Sequence, residues 1–391
     1  MKITSVKTVV VNARMRNWVF VKVETDVPGL FGWGEASMEW KTRAVVGCVE
    51  DFVPMIVGQD PTRVEHLYQI MLRHSFWRSE MGLIGMTAIS GIEMALWDIC
   101  GKSLNVPVYK LLGGRVRDRV RMYTHLGGGN TGSVYETFDA QQAIDLAQQS
   151  IACGYTAVKV VFVPYSEPLT NIPAVKKFGG LVRALRGAIG DSVDLMIDFH
   201  GRTSPAAAVY LLNEIEECRP YFCEEVVPPE NIDALLTVKQ KTIIPLATGE
   251  RRSTRHGFRE IIEKDAVHII QPDLCHCGGL WEAKKIAAHA ETHYMGVAPH
   301  NPLGPIANAA ALHFALSTPN FLIQEDMLED VPWRWDVVKS QLQTQDGYWL
   351  PCEAPGLGIE VDEAAAAKHP FEQEIMQTLG TTGPDGAVLD W

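Results

Sequence analysis

Asp198 and His200 stand two residues apart at the end of an apolar run, in the segment DLMIDFHGR (194–202). Leu195, Met196 and Ile197 read as a buried strand, and residues i and i+2 of a strand share a face. A carboxylate and an imidazole therefore open into one space. That suits metal binding or proton transfer, and equally a turn that caps a strand. The ending recurs, however. Apolar runs finish at Glu224 and Glu225 (YFCEE), Glu250 (IPLATGE), Asp273 (VHIIQPD), His300 (MGVAPH) and Glu325 (NFLIQE), and Lys159 sits in TAVKVVFV.

From Asp198 onward these polar ends follow one another at steps of 26, 26, 23, 27 and 25 residues. That is the length of one strand, one helix and two short loops. The intervening SPAAAVYLLNEIEEC (204–218) and GLWEAKKIAAHAETH (279–293) place apolar residues at helical spacing. Strand and helix alternating this evenly predict a parallel sheet. With VRMYTHL (120–126) and the Lys159 run, eight strands fall between about 120 and 325, the number of a closed β/α barrel. Polar residues at the C-terminal strand ends then converge on one centre. Asp198, Glu224 and Glu250, from three consecutive strands, would repel one another unless a cation sits among them. All-oxygen ligands suit a hard ion such as Mg2+.

The remaining chain supplies a second module. Residues 1–118 open with strand patterns (ITSVKTVVV, VFVKVETD, LFGWGEA) and continue with a helical one, TAISGIEMALWDICGKSL. The tail 355–391 begins PGLGIEVDEAAAAKH, a turn, a short strand and a helix expected to return to that module. The expected fold is therefore α/β, a (β/α)7-8 TIM-type barrel over 119–354 with an N-terminal α+β capping domain. With 47% hydrophobic and 21% charged residues the composition is that of a globular protein. A net charge of −12 argues against a nucleic-acid partner. No run reaches the roughly 18 apolar residues expected of a membrane span. No signal peptide is evident, so the expected setting is cytoplasmic. Eight scattered cysteines read as reduced thiols. Cys275-His276-Cys277 looks like a metal triplet, but no second Cys/His pair stands at zinc-site spacing.

The motifs LMIDFHGR (195–202), FCEEVV (222–227), LATGER (246–251), IIQPDLCHCGG (269–279), APHNPLGPIA (298–307) and IQED (323–326) together resemble the enolase superfamily, and within it the mandelate racemase subgroup. GIEMALWDICGK (91–102) and PGLGIEVD (355–362) extend the resemblance over essentially the whole chain. It implies Mg2+ on Asp198, Glu224 and Glu250, and an Asp273–His300 dyad. It puts His200 on the opposite side of the substrate and Glu325 at the substrate carboxylate. Lys159 and Arg202 are further substrate-contact candidates. Loops near 14–20 and 38–43 of the cap would close over the substrate. Racemase-like members carry Lys-x-Lys on the second barrel strand. Here Val161 takes the second place, which disfavours a lysine-based racemase.

The implied activity is that of the acid-sugar dehydratases of the subgroup. His300, oriented by Asp273, removes the proton next to a carboxylate, and His200 protonates the departing 3-hydroxyl. An aldonate such as D-galactonate would give a 2-keto-3-deoxy sugar acid. Galactarate, gluconate or arabinonate are alternative substrates. A racemase or epimerase of a 2-hydroxy acid, and a metal-binding scaffold without turnover, are alternative functions. The resemblance also implies a homo-oligomer, a dimer or an octamer.

Overall fold

The computed structural model describes residues 1–77, 81–127, 139–164, 169–327, 330–374, 382–383 and 385–389. The chain begins with an antiparallel meander of β1 (Ile3–Ala13), β2 (Arg16–Thr25) and β3 (Phe31–Glu35). Helices α1 (Thr42–Ile56), α2 (Val64–His74) and α3 (Gly82–Leu104) pack on it. Strand and helix meet backbone to backbone. A Cβ on Gly32 would fall 2.0 Å from the Ala95 carbonyl oxygen, and one on Gly34 would fall 1.9 Å from that of Gly91. These alternate residues of β3 share the face turned to α3, so neither tolerates a side chain.

Helix α3 is long and apolar enough to cross a membrane, because its Gly, Ser and Thr residues hardly lower the mean hydropathy. Yet 83% of its apolar window is buried inside the protein. It is a core helix, clamped between the meander and the barrel.

After the short α4 (Val108–Leu111) the chain alternates strand and helix. The order is β4 (Val120–His125), α5 (Ala140–Ala152), β5 (Ala157–Val160), α6 (Ile172–Ile189), β6 (Asp194–Asp198), α7 (Pro205–Ile215), β7 (Phe222–Glu224) and α8 (Ile232–Lys239). Then come β8 (Leu246–Thr248), α9 (Thr254–Glu263), β9 (Ile269–Ile270), α10 (Gly279–Glu291), β10 (Gly296–Val297), α11 (Pro305–Ser317) and β11 (Gln324–Asp326). Neighbouring strands pair in parallel from β4 to β10, and β11 pairs with β4. A parallel bridge between Val297 and Phe321 closes the ring. The result is a (β/α)7 barrel completed by an eighth strand. Beyond it, β12 (Val338–Ser340) pairs with β15 (Ile359–Val361), and β13 (Gln343–Gln345) with β14 (Tyr348–Leu350) forms a hairpin beside β4. The tail carries α12 (Glu363–Ala366) and runs back to the first module. Asn12 N–H donates to the His369 carbonyl, and Asn17 N–H to Glu374.

Eight side chains, one from each strand run, fill the barrel interior: Tyr123, Ala157, Met196, Phe222, Ala247, Ile269, Ala298 and Ile323. Strand side chains alternate, so the next inward layer is two residues further on. It reads His125, Lys159, Asp198, Glu224, Gly249, Gln271, His300 and Glu325. An apolar plug thus carries a polar crown at the C-terminal strand ends. β8 alone puts a glycine in the crown. At φ +143° Gly249 has room for no Cβ, which would meet the Phe258 ring at 2.7 Å. Glu250 follows one residue later.

Candidate active site

The crown brings Asp198, Glu224 and Glu250 together, with one oxygen from each within 4.8 Å of the others. Among the described residues this is the one His/Cys/Asp/Glu cluster compact enough to hold a metal ion. Asp198 and Glu224 are fully buried, and Glu224 Oε1 has no hydrogen-bond partner among the described residues. Burial and then the neighbouring Asp198 push Glu224 up to about 8. Glu250 is also raised, first by burial. Burial opposes the charge of Asp198, yet His200 and Lys159 hold it well below the usual carboxylate range. Two carboxylates pushed toward protonation beside an ionised third, one of them with an orphaned oxygen, fit a hard divalent cation.

Lys159 supplies the only buried ammonium of the crown. Its Nζ lies 2.7 Å from Glu325, 2.9 Å from Glu224 and 3.4 Å from Asp198. Burial disfavours its charge, but Glu224 and Glu325 outweigh that and hold its pKa well above the usual lysine value. Glu325 also accepts the Asn301 N–H at 2.8 Å. Burial opposes its charge, yet Lys159 and His300 bring it down to about 2.

Two imidazoles flank the triad from different strands. His300 Nδ1 lies 2.8 Å from Asp273 Oδ2, and its Nε2 lies 3.6 Å from Glu250 Oε2. Burial disfavours the charged ring, but Glu250, Asp273 and Glu325 together hold His300 well above an ordinary imidazole. His200 follows β6 in the left-handed region, at φ +49°. That backbone folds its ring onto Asp198, with Nε2 3.2 Å from Oδ2 and its own N–H bonded to Oδ1. Burial lowers the His200 pKa despite Asp198. Arg202 is buried beside it, with Nη2 3.5 Å from His200 Nδ1 and Nη1 donating to the Val163 carbonyl. Glu225 lies beside the crown, close enough for its charge to raise Glu250, and pairs with Arg251 at 2.8 Å.

Three neighbours were missed in the sequence. His125, in the crown on β4, is lowered to about 4 by burial and then by Lys159. It stands one residue before the end of the run VRMYTHL, and the i+2 rule applied to that run would have found it. Gln271 is buried in the same layer with both amide atoms unpartnered among the described residues. His276, the middle of the cysteine-flanked triplet, faces Asp273 with Nε2 3.7 Å from Oδ2. Cys275 and Cys277 are buried free thiols.

Two family patterns match the chain. "Mandelate racemase / muconate lactonizing enzyme, N-terminal domain" covers residues 2–113, and "Enolase C-terminal domain-like" covers residues 142–365. The D-galactonate dehydratase of Verminephrobacter eiseniae (strain EF01-2) is 39% identical over 397 residues, spanning 100% of both chains. That of Ralstonia pickettii (strain 12J) is 38% identical, again over 100% of both. A solved enolase-superfamily member from Salmonella Typhimurium superposes with a TM-score of 0.88 at 34% identity, covering 94% of this chain and 98% of its own. The mandelate racemase/muconate lactonizing enzyme-like protein of Roseovarius sp. TM1035 gives a TM-score of 0.88 at 35% identity, over 96% and 97%.

Proposed function

The chain belongs to the mandelate racemase/muconate lactonizing enzyme group of the enolase superfamily, and on that premise we propose that it is a Mg2+-dependent hydro-lyase that dehydrates an acid sugar. One observation carries the reading: two imidazoles from different strands abut different carboxylates of one triad, His200 at Asp198 and His300 at Glu250. Asp198, Glu224 and Glu250 would hold the ion. When bound, Mg2+ supplies electrostatic stabilisation for the charge that develops on a substrate carboxylate as the adjacent proton leaves.

The side chains divide the proton work. His300 takes the C2 proton at Nε2, because Asp273 holds the proton of Nδ1. His200 carries its Nε2 proton against Asp198 and gives it to the 3-hydroxyl, which leaves as water. The C2–H and C3–OH bonds are lost, and the resulting enol tautomerises to a 2-keto-3-deoxy acid. Glu325, pinned by Lys159 and Asn301, fixes the end of the pocket where the substrate carboxylate sits. Residues 1–118 with 355–391 serve as the cap, and its loops 14–20 and 38–43 close over the sugar. The relatives' names favour an aldonate of the D-galactonate type.

The test is a panel of mono- and diacid sugars with Mg2+, read as 2-keto acid formed and as exchange of the C2 hydrogen with solvent deuterium. The wild type should dehydrate at least one aldonate. His300→Asn should lose both signals, by about 10²- to 10⁴-fold. His200→Asn should keep the exchange and lose the product. Absence of product from every sugar would sink the reading, and a fully active His200→Asn would remove His200 from its role.

A further inference from the structure

Helix α3 carries a polar stripe on an otherwise apolar surface. Thr87, Ser90 and Glu93 are spaced i, i+3 and i+6, so they share one face, and all three are buried. They meet the loop that follows β9 and the first turn of α10 at even intervals. Thr87 Oγ1 lies 2.9 Å from His276 Nδ1. Ser90 Oγ accepts the Gly278 N–H at 3.0 Å. Glu93 accepts the N–H groups of Leu280 and Trp281 at 2.8 and 2.9 Å. The same loop begins with Asp273, whose Oδ1 accepts the Cys275 N–H at 2.7 Å and whose Oδ2 faces His300. Thr87 also touches Met38 Sδ at 3.9 Å, in the cap loop 38–43.

We infer that His276 is a positioning residue for the Asp273–His300 dyad, set in place from the cap by Thr87. This rests on the reading of that dyad as the base. The argument turns on the tautomer. His276 is 6% exposed, and its Nε2 points at Asp273 Oδ2 across 3.7 Å. A lone pair there would face a carboxylate, whereas an N–H is attracted to it. The Nε2–H form leaves Nδ1 as an acceptor, and the Thr87 hydroxyl is placed to donate to it. Asp273 Oδ2 then lies between two imidazole N–H groups, from His276 and His300, while Oδ1 holds the backbone. The carboxylate cannot rotate without losing one of the three. Its fixed orientation fixes the His300 ring, so a hydroxyl on a cap helix sets the aim of the base without touching the substrate.

Asn and Gln separate the two ring positions. The Asn amide reaches the place of Nδ1, and the Gln amide nitrogen reaches the place of Nε2. His276→Asn should lower kcat by about 10- to 100-fold, the usual effect of losing such a partner, with KM nearly unchanged. His276→Gln should recover most of the loss, and Thr87→Val should fall between them. In histidine-labelled substrate-free protein, 15N NMR should show the Nε2–H tautomer for the resonance that His276→Gln removes. An Nδ1–H tautomer, or equal rates for the Asn and Gln variants, would overturn the proposal. If no acid sugar is turned over, the dehydratase reading falls, and the tautomer by itself upholds or overturns the placement of His276.

Discussion

Lys159 is a buried cation facing three carboxylates, so its removal is the sharpest single-residue perturbation of the crown. Breaking a buried pair leaves uncompensated charge and costs about 3–5 kcal/mol. Lys159→Met should therefore lower stability by about that amount in urea unfolding without metal. Added Mg2+ should restore much of it, since binding to the folded state alone raises stability. A variant as stable as the wild type would mean that the carboxylates do not repel as their spacing requires. The triad itself makes a matching prediction. Chelation should abolish dehydratase activity and lower Tm, and Glu250→Gln should weaken Mg2+ binding measured by calorimetry.

At the scale of elements, helix starts separate what is local from what is not. α5, α6, α7 and α8 each begin at a side chain that accepts the N–H three residues on: Asp139, Asn171, Ser204 and Asn231. Such caps are visible in sequence. α10 and α11 have no cap of their own. Glu93 and Glu35, from the cap, accept their first N–H groups instead; Glu35 takes those of Gly304 and Ala307 at 2.7 and 2.9 Å. These are the helices that follow Asp273 and His300. The cap thus braces the two loops that carry the dyad. The contact of β3 with α3 is equally unforgiving. Gly34→Ala should destabilise by about 3 kcal/mol or more, because the obstacle is the Gly91 carbonyl and not a movable side chain. A loss under about 1 kcal/mol in chemical denaturation would show that the two elements part easily.

At the scale of the whole molecule, His313 ties α11 to α4. It is fully buried, and its Nδ1 accepts the Tyr109 N–H at 3.2 Å. Burial lowers it from 6.5 to about 4. Above pH 6.5 the ring is neutral in both states, and its contribution to stability is complete. As pH falls below 6.5 the unfolded ring takes up a proton that the folded one refuses. Stability should drop over that window, with the loss complete near pH 4 and worth about 3 kcal/mol at most. His313→Asn keeps an acceptor near Nδ1 and removes the titration. Its urea midpoint should change less between pH 7.5 and pH 5 than that of the wild type. An unchanged difference would assign the acid sensitivity to other groups.

The barrel was legible because its period is local. Each strand run ends in a polar residue, each helix repeats at 3.6, and the steps between Asp198, Glu224, Glu250, Asp273, His300 and Glu325 stay between 23 and 27 residues. The carboxylate cluster followed from those strand ends, although Glu250 stands one residue beyond the position that alternation gives. The contacts that finish the site were not legible. Nothing near His276 in the chain names Thr87 as its partner, and nothing near Gly304 names Glu35. Those pairs are 189 and 269 residues apart. The same holds for the fold of His200 onto Asp198, which depends on a left-handed backbone at a non-glycine residue. Sequence by itself determined the periodic elements and the chemistry at their ends, because both depend on neighbours a few residues away. Tertiary structure alone decided how the cap is wedged against the dyad and how Lys159 sits among the acids. Those arrangements depend on the packing of surfaces that the chain brings together only when it folds.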